Sequence, residues 1–174
     1  MDSKKITLIT GGIRSGKSRY ALSSVQKMSG QKIFIATAEP LDESMSIRIK
    51  NHQQERGEEF TTIEEPIYLA KAMSAVSQRE VILIDCLTLW VNNLLYYFKK
   101  DSEKTRKQFD LFLDILAHHP GQIVIVTNEV GLGVTPDNEL TRIFIDELGF
   151  LNQRVAELSD EVILMIAGLP QIIK

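Results

Sequence analysis

Residues 4–18, KKITLITGGIRSGKS, run an apolar stretch straight into G-x-x-x-x-G-K-S, and few backbones satisfy both halves of that junction. Ile6, Leu8 and Ile9 form a β-rich run, and RYALSSVQKM after Ser18 has the apolar spacing of a helix. A glycine-rich loop between a strand and a helix is a phosphate-binding loop. Without a Cβ at Gly11 and Gly16 the chain can curl with successive N–H groups pointing inward, and the following helix adds the positive end of its dipole. Lys17 then bridges β- and γ-phosphates, and the Ser18 hydroxyl suits a Mg²⁺ ion held by those phosphates.

A chain of 174 residues builds one domain, residues 1–174, whose core needs no metal or disulfide. Hydrophobic residues at 44% and charged residues at 25% exclude a disordered or membrane class. A net charge of −3 gives no basic footprint, so a small nucleotide is the expected phosphate partner and nucleic acid is not. No run reaches the ~18 apolar residues of a membrane span, and ITLIT behind Lys4 and Lys5 is too short for a signal peptide. The expectation is a cytoplasmic protein without membrane insertion. Cys86 is the only cysteine, and at the end of a buried strand it reads as an inert core thiol.

Further along, the pattern predicts strands at 32–37, 60–65 (an edge strand), 80–85, 122–128 and 160–168. Helices are predicted over a charged segment before Gly57, from Pro66 to Ser77, and over 87–98, 105–119 and 139–159. His118 and His119 close the fourth of these, where cations suit the dipole. Strands and helices alternate to the end, which predicts an α/β three-layer sandwich like that of P-loop NTPases, with a mostly parallel sheet and ligands outside its carboxyl edge.

Asp85 ends the apolar run VILID, where an acid reaches the Mg²⁺ shell beside a phosphate loop; the alternative is a cap for the helix starting at Leu87. Thr127, Asn128 and Glu129 fall on the same sheet edge, either to sense a γ-phosphate or position a hydroxyl acceptor, or merely to cap the loop. A helix over 42–56 would set Met45, Ile49, His52 and Arg56 along one face, with Arg48 one turn before His52. Guanidiniums so close favour a neutral, nucleophilic imidazole. On spacing alone, however, His52 reads as a solvated surface histidine. At this level a monofunctional small-molecule kinase and a nucleotide-dependent regulatory module both remain open.

Read together, ITLITGGIRSGKSRYA, FIATAEPLDESMSIRIKNHQQER, LIDCLTLWVNNLL, VIVTNEVGLGVTPDNELTR and LNQRVAELSDEVILMIAGLP resemble the bifunctional cobinamide kinase and cobinamide-phosphate guanylyltransferase family of cobalamin synthesis. The resemblance spans nearly the whole chain. It implies that adenosylcobinamide is phosphorylated on its aminopropanol hydroxyl with ATP or GTP. GMP from GTP then passes through a guanylylated His52 to adenosylcobinamide phosphate. It further implies Lys17 as catalytic beside His52, and nucleotide contacts at Gly11, Gly12, Ile13, Arg14, Ser15, Gly16, Lys17, Ser18, Thr37, Ala38, Glu39, Gln53, Gln54, Glu55, Arg56, Glu64 and Asp85. Mg²⁺ would rest on Ser18 and Asp85, and the chain would form a homotrimer. Departures from the family pattern are Asn51 for a second histidine, Phe60 for tryptophan, Ser44 for an acid and Asp85 for the commoner glutamate.

Overall fold

The computed structural model describes residues 4–40, 43, 46–47, 50, 53–54, 57, 59–77 and 80–174. Its centre is a seven-stranded sheet of order β3-β2-β4-β5-β1-β6-β7. The strands are β1 (Lys5–Gly11), β2 (Lys32–Ala36), β3 (Phe60–Glu64), β4 (Val81–Asp85), β5 (Gln122–Val126), β6 (Glu161–Ile166) and β7 (Leu169–Ile172). All neighbouring pairs are parallel except β6 with β7. The chain crosses over between β1 and β2 and again before β4 and β5, so β1 and β4 flank β5 with their carboxyl ends level: Ile9 and Asp85 are both in register with Val126.

Period-two burial divides the core into two sides. Ile6, Leu8, Ile33, Ile35, Ile82, Ile84, Ile123 and Ile125 face one side, under the helices α2 (Leu69–Ser74), α3 (Leu87–Tyr97), α4 (Ser102–His118) and α5 (Glu139–Leu158). Ile9, Phe34, Leu83, Val124, Val126 and Met165 face the other, against Ala21 and Val25 of α1 (Lys17–Gln26). Helices on both faces of a mostly parallel sheet give the α/β sandwich that the alternation predicts.

Two elements differ from the expectation. The helix expected from Pro66 starts at Leu69, because the Glu65 carboxylate accepts the Ile67 and Tyr68 amides at 2.9 and 2.7 Å and holds those residues in a turn. Alternation also fails at the carboxyl terminus. Ala167 and Gly168 have φ of 51° and 84°, and this two-residue turn folds Leu169–Ile172 back antiparallel on β6 as an edge strand. Pro170 is tolerated there because an edge strand leaves one row of N–H positions unpaired.

Trp90 organises the larger side. Its ring is fully buried, lies 5.6 and 5.2 Å from the Phe109 and Phe112 rings, and donates Nε1–H to the Ile67 carbonyl at 2.8 Å. Helices α3 and α4 and the turn before α2 thereby share one anchor. Trp90→Ala should cost about 3–5 kcal/mol of unfolding free energy, read as a lower urea midpoint by circular dichroism.

Candidate functional site

The loop between β1 and α1 is shaped by residues that accept positive φ: Gly11 at 147°, Arg14 at 58° and Gly16 at 93°. A Cβ on Gly11 would stand 2.5 Å from the Met165 carbonyl oxygen, and one on Gly16 would stand 3.3 Å from Gly168 Cα. At Gly11 and Gly16 the loop therefore packs on β6 and the β6–β7 turn with no room for a side chain, and Gly168 N–H donates to Ser15 O at 3.0 Å. On the opposite flank Glu129 N–H donates to Gly11 O at 3.0 Å. Inside the curl Ser15 N–H reaches Gly12 O at 3.3 Å.

This cradle is electropositive and incomplete. Helix α1 has no side-chain cap at Gly16 and no acid in its first turn, so its leading amides point out of the helix without an anionic partner. The Ser15 hydroxyl is buried with no hydrogen-bond partner among the described residues. Lys17 is 7% exposed and donates Nζ–H to Gly12 O at 2.6 Å. Burial pushes its pKa down, while Cys86 and Asp85 act in the opposite sense. A cation held in this way, beside an orphaned hydroxyl and an uncapped helix, is a site for phosphate oxygens.

Asp85 ends β4 and contributes a negative field at Lys17. It does not cap α3, whose N-cap is Cys86 with no side-chain bond. The Asp85 carboxylate and the Ser18 hydroxyl make no hydrogen bond with described residues, so both oxygens are available. No cluster of three acidic, histidine or cysteine residues that could hold a metal exists among the described residues. Mg²⁺ fits this arrangement, since it takes one or two protein oxygens and completes its octahedron with phosphate and water.

Several side chains that periodicity does not flag align the carboxyl edge. The Thr37 hydroxyl donates to Cys86 O at 2.7 Å and accepts Cys86 N–H at 2.8 Å, tying β2 to β4. Asn93, buried in the apolar α3, donates to Thr37 O at 2.8 Å. Thr88 accepts the Asn128 amide at 2.8 Å, and Asn152 accepts the Thr127 hydroxyl at 2.8 Å while donating to Asn128 O at 3.0 Å. The Thr127 hydroxyl is thus occupied as a structural tie, while Asn128 is held through its backbone N–H and carbonyl. The Glu129 carboxylate has no such bond among described residues. The only signal in the sequence for these ties is asparagine inside apolar helical runs, at VNNLL and FLNQRV.

Of the residues expected at the site, Gly11 to Ser18 form the cradle, and Thr37, Ala38, Glu39, Glu64 and Asp85 follow or end strands on the same edge. The Thr37 hydroxyl is already engaged with Cys86, and Ile13 and Arg14 point into solvent. Gln53 and Gln54 are exposed. His52, Glu55 and Arg56, with Arg48, lie outside the described residues. No helix among the described residues is long and apolar enough to cross a membrane.

Burial, with Asp85 adding to it, pushes the Cys86 thiol up to about 12. In the native protein it should therefore resist dithionitrobenzoate at pH 8 and react only after denaturant is added. The lowered pKa of Lys17 marks a charge that the native state holds at a cost, so Lys17→Met should leave the ligand-free melting temperature at or above that of the parent. The same change should remove about 2 kcal/mol or more of nucleotide binding, seen as loss of the GTP-induced rise in melting temperature.

Residues 7–173 match the family described as cobinamide kinase / cobinamide phosphate guanyltransferase. The chain is 40% identical to the bifunctional adenosylcobalamin biosynthesis protein CobP of Pseudomonas aeruginosa over 168 residues, 96% of each chain. It is 35% identical to the corresponding CobU of Escherichia coli K12, over 93% of this chain and 96% of that one. Among solved structures it superposes on an ATPase of a bacterial type III secretion system with a TM-score of 0.56 and 13% identity, spanning 97% of this chain and 56% of that one. A Pyrococcus horikoshii protein gives a TM-score of 0.55 at 8% identity, over 98% of this chain and 86% of that one. These two likenesses concern the fold alone.

Proposed function

The chain belongs to the cobinamide kinase / cobinamide phosphate guanyltransferase family, a bifunctional transferase of adenosylcobalamin biosynthesis, and we propose that its one phosphate cradle serves both reactions. The observation that carries this reading is the cradle itself: buried Lys17, the orphaned Ser15 hydroxyl and the uncapped α1, all on the sheet edge where Asp85 ends β4.

In the first reaction the β- and γ-phosphates of ATP or GTP lie along the loop amides, and Lys17 exchanges its bond to Gly12 O for phosphate oxygens. The hydroxyl of the aminopropanol arm of adenosylcobinamide attacks the γ-phosphorus, and the nucleoside diphosphate leaves. Lys17 and the loop donors hold charge that moves onto the leaving oxygen, and because they are fixed before substrate arrives they need little reorganisation. Mg²⁺, when bound to Ser18 and Asp85, would neutralise charge on the bridging phosphate oxygens.

In the second reaction His52 attacks the α-phosphorus of GTP, pyrophosphate leaves, and the phosphate of adenosylcobinamide phosphate displaces the histidine to form adenosylcobinamide-GDP. The intermediate divides one anion-on-anion displacement into two. His52 is assigned here on the D-x-x-M-x-x-R-I-x-x-H-x-x-x-R pattern of residues 42–56. On the same resemblance, Thr37, Ala38, Glu39, Gln53, Gln54, Glu55, Arg56 and Glu64 line the nucleotide, and the enzyme works as a cytoplasmic homotrimer.

Incubation with GTP and Mg²⁺ should add one GMP to the intact mass, as an acid-labile, base-stable adduct. His52→Ala should abolish the adduct yet still phosphorylate adenosylcobinamide. An adduct that persists in His52→Ala, or loss of both reactions in a folded, nucleotide-binding variant, would overturn the division of roles.

A further inference from the structure

Beside the cradle, a pocket of about 260 Å³ opens between the loop after β5 and helix α5, with Glu129, Asp146, Gly149, Phe150 and Gln153 in its wall. Two features set it apart from an accidental surface dent. The Glu129 carboxylate reaches this wall with no hydrogen bond to a described residue, while its own backbone N–H is fastened to Gly11 O, the first residue of the cradle. Gly149 stands in the interior of a twenty-residue helix, where alanine is intrinsically favoured, and a Cβ there would meet nothing within 4 Å. The missing side chain leaves open the space that the pocket occupies.

We propose that this pocket receives the hydroxyl-bearing arm of the acceptor in the kinase reaction, and that Glu129 is the catalytic residue that takes the hydroxyl proton. The inference rests on the kinase reading above and goes further by assigning the acceptor site. The volume suits a short polar arm and not a corrin ring, so the ring stays outside against the rim at Phe150, which is 38% exposed and has the Arg106 and Arg154 guanidiniums 5.2 and 5.8 Å from its ring centre. Asp146 and Gln153 offer an acceptor and an amide to the polar groups of the arm. Asn152 is excluded from that role because Thr127 and Asn128 occupy its amide. As the acceptor oxygen bonds to the γ-phosphorus and the bond from that phosphorus to the β-bridging oxygen breaks, the O–H electron pair stays on the attacking oxygen. Its proton passes to a Glu129 oxygen, and from there to water after the diphosphate departs.

The test is steady-state phosphorylation of adenosylcobinamide by the full chain, run beside the GMP-adduct mass assay. Glu129→Gln should lower kcat about a hundredfold or more with little change in the cobinamide KM. Gly149→Leu, which fills the pocket from a helix position that welcomes leucine, should raise the cobinamide KM about tenfold and move kcat little. Gly149→Ala should raise KM less and raise the melting temperature. All three should still form the GMP adduct, which needs no acceptor. Unchanged kcat in Glu129→Gln, or an unchanged cobinamide KM in folded Gly149→Leu, would overturn the proposal and leave the kinase reading intact. A wild-type chain that does not phosphorylate adenosylcobinamide would overturn the kinase reading first.

Discussion

The loop after β1 is held by two backbone hydrogen bonds from opposite flanks, Glu129 N–H to Gly11 O and Gly168 N–H to Ser15 O, and the chemistry depends on that clamp. A phosphate cradle that had to be ordered by its ligand would spend binding energy on backbone entropy, roughly 1–2 kcal/mol per residue fixed. Here neighbouring strands do the ordering. β5 delivers Glu129 because it pairs directly with β1, and the β6–β7 hairpin delivers Gly168 because the positive φ values at Ala167 and Gly168 turn the chain over the loop. The glycines at 11 and 16 follow from the same clamp, since a Cβ at either would press on β6 or the hairpin turn.

The clamp also makes the site electrostatically unfinished. Lys17 is buried with Gly12 O as its hydrogen-bond acceptor, the first turn of α1 has no acid, and the Ser15 hydroxyl has no partner among the described residues. Each of these carries a small cost in the ligand-free protein, and each is relieved by the same object, a chain of phosphate oxygens. The ties Thr37–Cys86, Thr88–Asn128 and Thr127–Asn152 spread this rigidity along the edge. They leave the carboxylates of Asp85 and Glu129 without a hydrogen bond to a described residue.

The sequence carries the cradle openly, because strand, glycine spacing, lysine and serine all serve one local geometry. The sheet order was legible in kind, as helices between apolar runs force parallel pairing. The terminal hairpin was not, since its turn is Ala-Gly instead of the Asn-Gly or Asp-Gly that marks a type I′ turn, and Pro170 argues against a strand. The acceptor pocket was invisible too: Gly149 in a helical pattern registers only as a weak position until three dimensions show what lies beside it. Thr37 shows the converse limit, a residue expected at the nucleotide whose hydroxyl holds two strands together. For His52 the pattern of its segment, and not its charge environment, carries the assignment.

Both reactions depend on Lys17 being held in waiting for phosphate. A crystal structure of the chain with a non-hydrolysable GTP analogue tests this most directly. Lys17 Nζ should leave Gly12 O for the phosphate oxygens, the Ser15 hydroxyl should find an acceptor, and the clamp at Gly11 and Ser15 should stay closed. A triphosphate bound elsewhere, or a lysine still seated on Gly12 O beside it, would contradict it.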